Sequence, residues 1–330
     1  MQEKVVFMFP GQGSQYYNMG KQLFEQEPVF RKWMVYLDYI CKKNIGESVL
    51  DKLYDSNKKI ADIFDRTLYT HPAIFMIEYS LAMALTERGI KPDYLLGTSM
   101  GEFSSVAVSG VMDIEDVLEC VLKQAQLFEA YCKEGGMLAI FNTPDIYENL
   151  PLLYKNSELS SVNFASHFVV SGSNENLTAI REYMEAKNII CYVLPVTYGF
   201  HSHLIDPAAQ VYKEFLKGKR QNKPKIRFVS GMYGEAIEEL NYDYLWDIVR
   251  KPIKFSKAIS NMENSGPYIY IDLGSGGTLD NFAKRNFSKQ SRSVSFSIIT
   301  RFNQELRNTD KLQTYLAENE ATATLFKVKK

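Results

Sequence analysis

Continuous apolar runs, each cut off by proline or glycine, set the frame of the chain. Val5–Phe9 stops at Pro10-Gly11, Tyr94–Leu96 at Gly97, and Tyr268–Leu273, interrupted only by Asp272, at Gly274. A short apolar run without alternation is what a strand buried on both faces requires, so strands at 5–9, 94–97 and 268–273 predict a parallel sheet. Helical spacing fills the stretches between them. A largely helical region extends to about residue 66, and Thr70 suits an N-cap, with Pro72 in the first turn, for a buried helix running to Leu85. Gly110 breaks the segment after residue 101, and Asp113 caps a helix to about Cys132 whose stripe is Val117, Leu118, Val121, Ala125 and Phe128.

After Gly135-Gly136 the units become short: strand Met137–Phe141, helix from Pro144, strands across Ser161–Ser171, helix Leu177–Lys187 and strand Ile189–Leu194. This β-α-β-β-α-β succession predicts a small ferredoxin-like subdomain at 135–194, inserted into a large α/β-hydrolase-like subdomain at 1–134 and 195–320. Its loops would roof the residues after strand 94–97. A helix is expected from Asp206-Pro207, and residues 321–330 read as a tail.

Composition narrows the function classes. A net charge of −1 over 330 residues excludes a general nucleic-acid binder, which needs a surplus of Lys and Arg on one face. No run of about 18 apolar residues exists to span a bilayer. Without a secretory apolar stretch at the start, a cytoplasmic protein with no membrane association is expected. Cys41, Cys120, Cys132 and Cys191 lack metal-ligand spacing, so neither a zinc site nor a disulfide framework is indicated. Lys213 to Arg227 carries seven basic residues against Glu214 alone, which reads as a solvated linker or as a surface attracting an acidic partner.

The candidate chemistry lies at Gly97-Thr98-Ser99-Met100-Gly101, a G-x-S-x-G pentapeptide between a strand and a helix. On such a turn the flanking glycines let the backbone close and leave the Ser99 hydroxyl protruding as a nucleophile. The loop Phe9–Gln15 reads as a turn, or as a segment whose Gln12 main-chain N–H faces Ser99. Four histidines are present; His201 is the best candidate base, His203 competes with it, and His71 reads as structural.

Taken together these segments resemble the malonyl-CoA:acyl-carrier-protein transacylase family and the acyltransferase domains of polyketide synthases, over nearly the whole chain. The resemblance rests on Phe9–Gln15, Thr70–Phe75, Gly97–Glu102, Asn163–Gly172, Phe200-His201-Ser202 and Ile271–Gly276, six collinear motifs. It implies Ser99 as nucleophile, His201 rather than His203 as base, and the main-chain N–H groups of Gln12 and Met100 as oxyanion hole. It also implies that a main-chain carbonyl near Ile248 orients the histidine. The implied chemistry is ping-pong acyl transfer from phosphopantetheine thioesters, with acyl carrier protein as partner, coenzyme A as a possible acyl donor, and no metal or redox cofactor.

The departures from that pattern bear on the substrate. Family members handling malonyl groups carry an arginine on the helix after the elbow, and the aligned residue here is Gln124, in a segment from Asp113 to Lys133 without arginine. Leaving a carboxylate desolvated without its partner costs roughly 3–5 kcal/mol, so a neutral acyl group is expected. Thr98 replaces the family's histidine, His167 stands where glutamine is common, and Tyr198-Gly199-Phe200-His201 is neither common specificity tetrapeptide, which makes Thr98, His167, Tyr198 and Phe200 candidate substrate contacts beside Gln124. A neutral pocket is similar to that of the acyl hydrolases which accompany polyketide synthases lacking built-in acyltransferases. The expectation is a trans-acting acyl hydrolase; the alternatives are an acyl-CoA:carrier-protein transacylase and a catalytically silent carrier-binding module.

Overall fold

The computed structural model describes residues 3–328, with side chains through Asn319. Ten strands form two sheets: β1 (Lys4–Phe9), β2 (Tyr94–Gly97), β3 (Gly136–Ile140), β4 (Glu158–Phe164), β5 (His167–Gly172), β6 (Cys191–Val193), β7 (Arg227–Ser230), β8 (Glu235–Ile237), β9 (Tyr268–Asp272) and β10 (Val294–Ser297). The larger sheet has the order β10-β9-β1-β2-β7-β8 and is parallel except for the edge pair β7 and β8. Val6, Phe7, Met8 and Phe9 are wholly buried, as the unbroken apolar run requires.

Register places the site. Phe9 pairs with Gly97 and Met8 with Asp272, so β1, β2 and β9 end side by side and release their loops at one edge. Open parallel sheets bind ligands beyond such carboxyl ends. The Asp272 carboxylate fixes two of the chain's turns there, accepting from the N–H of Gly274 (2.9 Å) and of Asp280 (3.0 Å). Burial pushes this carboxyl up to about 6.

The smaller sheet is antiparallel, in the order β4-β5-β3-β6, the strand arrangement of a ferredoxin-like unit. Alternation divides its two faces. Leu138, Ile140, Phe168 and Val170 pack on the unit's own helices with Leu177, Ile180 and Met184, whereas Met137, Ala139 and Val169 join the core of the main body. One sheet therefore serves as both a local core and a wall over the main body.

Several boundaries differ from expectation. The buried helix spans Thr67–Glu87, so Thr70 is not its cap and Pro72 lies inside it. Instead the Thr70 hydroxyl accepts from Gln12 Nε2 at 2.8 Å, tying the helix to the loop after β1. The last part of the region up to residue 66 is loop, helix ending at Leu53. Ser202, not Asp206, caps the segment after His201, its hydroxyl accepting from Leu204 N–H while His203–Ala208 coils as a 3-10 turn ahead of helix Ala209–Leu216. The expected tail continues the helix Glu305–Val328, consistent with a stretch free of Gly and Pro; Lys329 and Lys330 lie outside the described residues. No described helix is long and apolar enough to cross a membrane.

Candidate active site

The elbow after β2 is built by two close approaches that only glycine permits. A Cβ on Gly101 would lie 2.0 Å from the Phe9 carbonyl oxygen, and one on Gly97 2.5 Å from Glu102 Cα. Between them Ser99 takes a φ of +52°, a left-handed backbone that costs a non-glycine residue about 1–2 kcal/mol. Helix Gly101–Val108 starts immediately after it and directs its dipole at the hydroxyl.

Ser99 Oγ lies 2.8 Å from His201 Nε2. His201 also has a left-handed φ, +60°, and its Nδ1 is 2.7 Å from the Lys251 carbonyl. Since a carbonyl only accepts, Nδ1 carries the proton and Nε2 presents its lone pair to the serine hydroxyl. Burial holds the imidazole down at about 4, so it is neutral at pH 7. The orienting carbonyl belongs to Lys251 rather than to the neighbourhood of Ile248, a shift that follows from helix Tyr244–Arg250 enclosing Ile248 and ending just before Lys251. The main chain grips the same histidine a second time, His201 N–H donating to Val249 O at 2.8 Å.

His203 stands apart, exposed, with Nδ1 on Glu158 at 2.6 Å. His71 is sealed against Phe200 and Phe128, and burial depresses it to about 3. Its place is structural.

The loop after β1 meets the elbow directly. A Cβ on Gly11 would sit 2.9 Å from Ser99 Cβ and 3.3 Å from Met100 N, so Gln12 and Met100 flank the serine. Among the described residues neither main-chain N–H donates to a protein acceptor. Two free donors beside a nucleophile, one of them opening a helix, are equipped for an oxyanion.

A cavity of about 290 Å³ opens over Ser99 and His201. Its walls are mainly apolar, including Met137, Val169, Leu194, Phe200 and Phe282, with polar groups from Gln12, Thr98, Ser161, Asn163 and His167. No Lys, Arg, Asp or Glu is among the described residues lining it. His167, held neutral by burial near pKa 4, has Nδ1 3.1 Å from the Asn163 amide and packs on Phe141 and Phe282.

The structure thus brings Thr98, His167 and Phe200 to the cavity with the dyad, but not Gln124 or Tyr198. Gln124 is fully buried and donates from Nε2 to Leu245 O at 3.3 Å, its Oε1 unpartnered. Its shorter side chain stops within the helix packing; Phe128, four residues on, packs on Trp246 with ring centroids 6.4 Å apart. Tyr198 packs behind Phe200 and Phe128.

Sequence reasoning missed two contributors. Lys251 acts through its main chain, which leaves no side-chain signature; only the following Pro252 marks it, by holding Lys251 extended at φ −89° and ψ 154°. Glu102 is fully buried and accepts from Met232 N–H at 3.0 Å and from the Tyr244 hydroxyl, tying the elbow helix to the segments around β7 and Lys251. Burial pushes its carboxyl up to about 8.

A sequence profile described as "Acyl transferase domain" matches residues 6–325. The chain is 47% identical over 315 residues to the polyketide biosynthesis acyltransferase homolog PksD of Bacillus subtilis (strain 168), covering 96% of this chain and 97% of that protein. Its identity to the polyketide biosynthesis acyltransferase homolog BaeD of Bacillus velezensis is 46% over 313 residues, 95% of this chain and 97% of the relative. Among solved structures, malonyl CoA-acyl carrier protein transacylase from Clostridium perfringens superposes with a TM-score of 0.81 at 26% identity, over 97% of this chain and 99% of that one. The acyltransferase domain from the second module of the salinomycin polyketide synthase shares the fold, with a TM-score of 0.84 at 24% identity over 94% of this chain and 72% of that one.

Proposed function

Because the chain belongs to the acyltransferase family of malonyl-CoA transacylases and polyketide synthase acyltransferase domains, we propose that it forms an acyl-Ser99 intermediate from carrier-protein thioesters and hydrolyses it, with neutral acyl groups as substrate. The observation that carries the acyl preference is the uncharged cavity: no cation among its described lining residues faces Ser99, and Gln124, on the helix that follows the elbow helix, is engaged with Leu245 O. A malonyl carboxylate placed there would be desolvated without a partner, at a cost of roughly 3–5 kcal/mol.

The steps follow from the dyad. His201 Nε2 takes the Ser99 hydroxyl proton as Oγ adds to the thioester carbonyl, while the Gln12 and Met100 N–H groups hold the oxyanion. The intermediate collapses, the C–S bond breaks, and the thiol leaves with the proton from Nε2. Water then loses a proton to Nε2 as it adds to the acyl ester, and the Ser99 oxygen leaves with that proton, releasing the carboxylic acid. Throughout, the Lys251 carbonyl fixes the tautomer and steadies the transient imidazolium, the part an acidic residue plays in a triad.

A second reading keeps the first half-reaction and delivers the acyl group to a carrier or coenzyme A thiol; the names of PksD and BaeD as acyltransferase homologs favour it. Incubation with acetyl- and malonyl-loaded carrier protein, followed by mass spectrometry, separates the two. Free acid released faster from acetyl than from malonyl carrier, and abolished by Ser99→Ala, supports hydrolysis. Rapid malonyl loading from malonyl-CoA overturns it.

A further inference from the structure

The basic run Lys213–Arg227, which the sequence offers as a surface for an acidic partner, is largely neutralised within the fold. Lys213 pairs with Asp243, Lys217 with Glu214, Lys219 with both Asp116 and Glu119, and Lys223 with Glu239. Arg227 donates to the Tyr94 hydroxyl. A patch whose charges already have counter-ions steers a partner weakly.

The mouth of the cavity differs. Phe141 and Tyr192 line the cavity and are nevertheless 46% and 59% exposed; Ile190, just ahead of edge strand β6 and two residues before Tyr192, is 70% exposed. Phe141 N–H donates to Ile190 O at 3.0 Å, and beneath these exposed residues the Phe141 ring lies 4.8 Å from buried His167, which stacks 5.1 Å from buried Phe164. Arg285 closes it, its guanidinium 5.9 Å from the centre of the Phe164 ring. Arg285 is exposed, and among the described residues no acid pairs with it. The next residue, Asn286, donates to the carbonyl of cavity-lining Asn163, which ties the end of the arginine's helix to the cavity wall.

From this arrangement we infer that the strip Ile190, Tyr192, Phe141 and Arg285 is where an acyl-loaded carrier protein docks, an inference resting on the carrier-thioester reading above. A carrier must insert its phosphopantetheine arm through this mouth, so the protein surface at the base of the arm comes to rest on whatever rims it. Exposed aromatic and aliphatic side chains there suit an apolar partner face, and the arginine fork suits the phosphate of the arm. That phosphate is common to carrier protein and coenzyme A; the apolar part of the strip is specific to the carrier.

Ile190→Asp and Arg285→Ala test this with three donors: acetyl carrier protein, acetyl-CoA and the acetyl thioester of N-acetylcysteamine, which has neither phosphate nor protein. Ile190→Asp raises KM roughly tenfold for the carrier alone, Arg285→Ala does so for carrier and coenzyme A, and neither alters turnover of the small thioester. Unchanged KM for carrier in both variants, or a comparable loss in Lys223→Ala, overturns the assignment. Calorimetric titration with holo-carrier keeps the two readings apart. Weaker binding to Ile190→Asp than to the wild type upholds the docking strip even if the wild type releases no acid, whereas equal binding removes the strip even if hydrolysis proceeds.

Discussion

The Nδ1–H of His201 donates to the Lys251 main-chain carbonyl at 2.7 Å, and Pro252 holds that carbonyl's residue extended. An orienting group without a side chain is insensitive to substitution at its own position. Lys251→Ala therefore leaves kcat within about twofold, its ammonium pairing among the described residues with Asp247 alone, in an i,i+4 contact. Pro252→Gly, which frees ψ of Lys251, lowers kcat about tenfold with little change in KM. Steady-state rates on an acyl thioester check both; the reverse order of effects would assign the orientation to the lysine side chain.

Strain at the nucleophile gives a stability prediction opposite in sign to the activity one. Ser99→Ala and Ser99→Gly both abolish acylation, yet Ser99→Gly unfolds at higher denaturant by about 1 kcal/mol, because only glycine adopts φ +52° without cost. Equal midpoints would mean that the surrounding loops relax the strain in the alanine variant.

Gln124 is the residue on which sequence and structure weigh differently. Gln124→Arg forces a longer, charged side chain into the fully buried site beside the Leu245 carbonyl, so Tm falls, by an overpacking cost of about 1–3 kcal/mol. If the guanidinium threads to the cavity, the malonyl-to-acetyl ratio of Ser99 acylation rises at least tenfold. An unchanged ratio, read by intact-protein mass spectrometry, would show that this helix face takes no part in acyl selection.

The buried ionisable groups set opposing pH dependences. The base must be neutral, so acylation falls only as pH drops through about 4, the depressed value of His201. Stability behaves differently. His201 and His167, both near 4 in the fold against 6.5 unfolded, contribute stability above 6.5 that is lost as pH falls toward 4. Glu102, raised from 4.5 to about 8, contributes stability below 4.5 that is lost as pH rises through 8. Glu102→Gln, which keeps an acceptor for Met232 N–H without a charge to bury, narrows the Tm gap to wild type between pH 5 and 9, and a gap that widens there would place the titration elsewhere.

Much of the architecture was legible because buried parallel strands announce themselves: Val5–Phe9 and Tyr268–Ile271 are unbroken apolar runs with glycine or proline near their ends. The nucleophile was legible from Gly97, Ser99 and Gly101, whose close packing demands those residue types, whereas the choice of His201 over His203 came from the family resemblance. Less visible were features carried by the main chain or by tertiary contact. Thr70 has a capping side chain but directs it to Gln12, and no local pattern encodes a partner fifty-eight residues away. The surplus of charge around Lys219 looked available in one dimension; only folding sets Asp116 and Glu119 against it.

Ser99 and His201 are 102 residues apart in sequence, and the whole small sheet lies between them. During synthesis the serine emerges long before its base, and the carbonyl that orients the base emerges later still. A nascent chain therefore holds an unactivated hydroxyl, safe from stray thioesters, and arming it reports that the inserted unit has folded and the chain has closed back over the sheet.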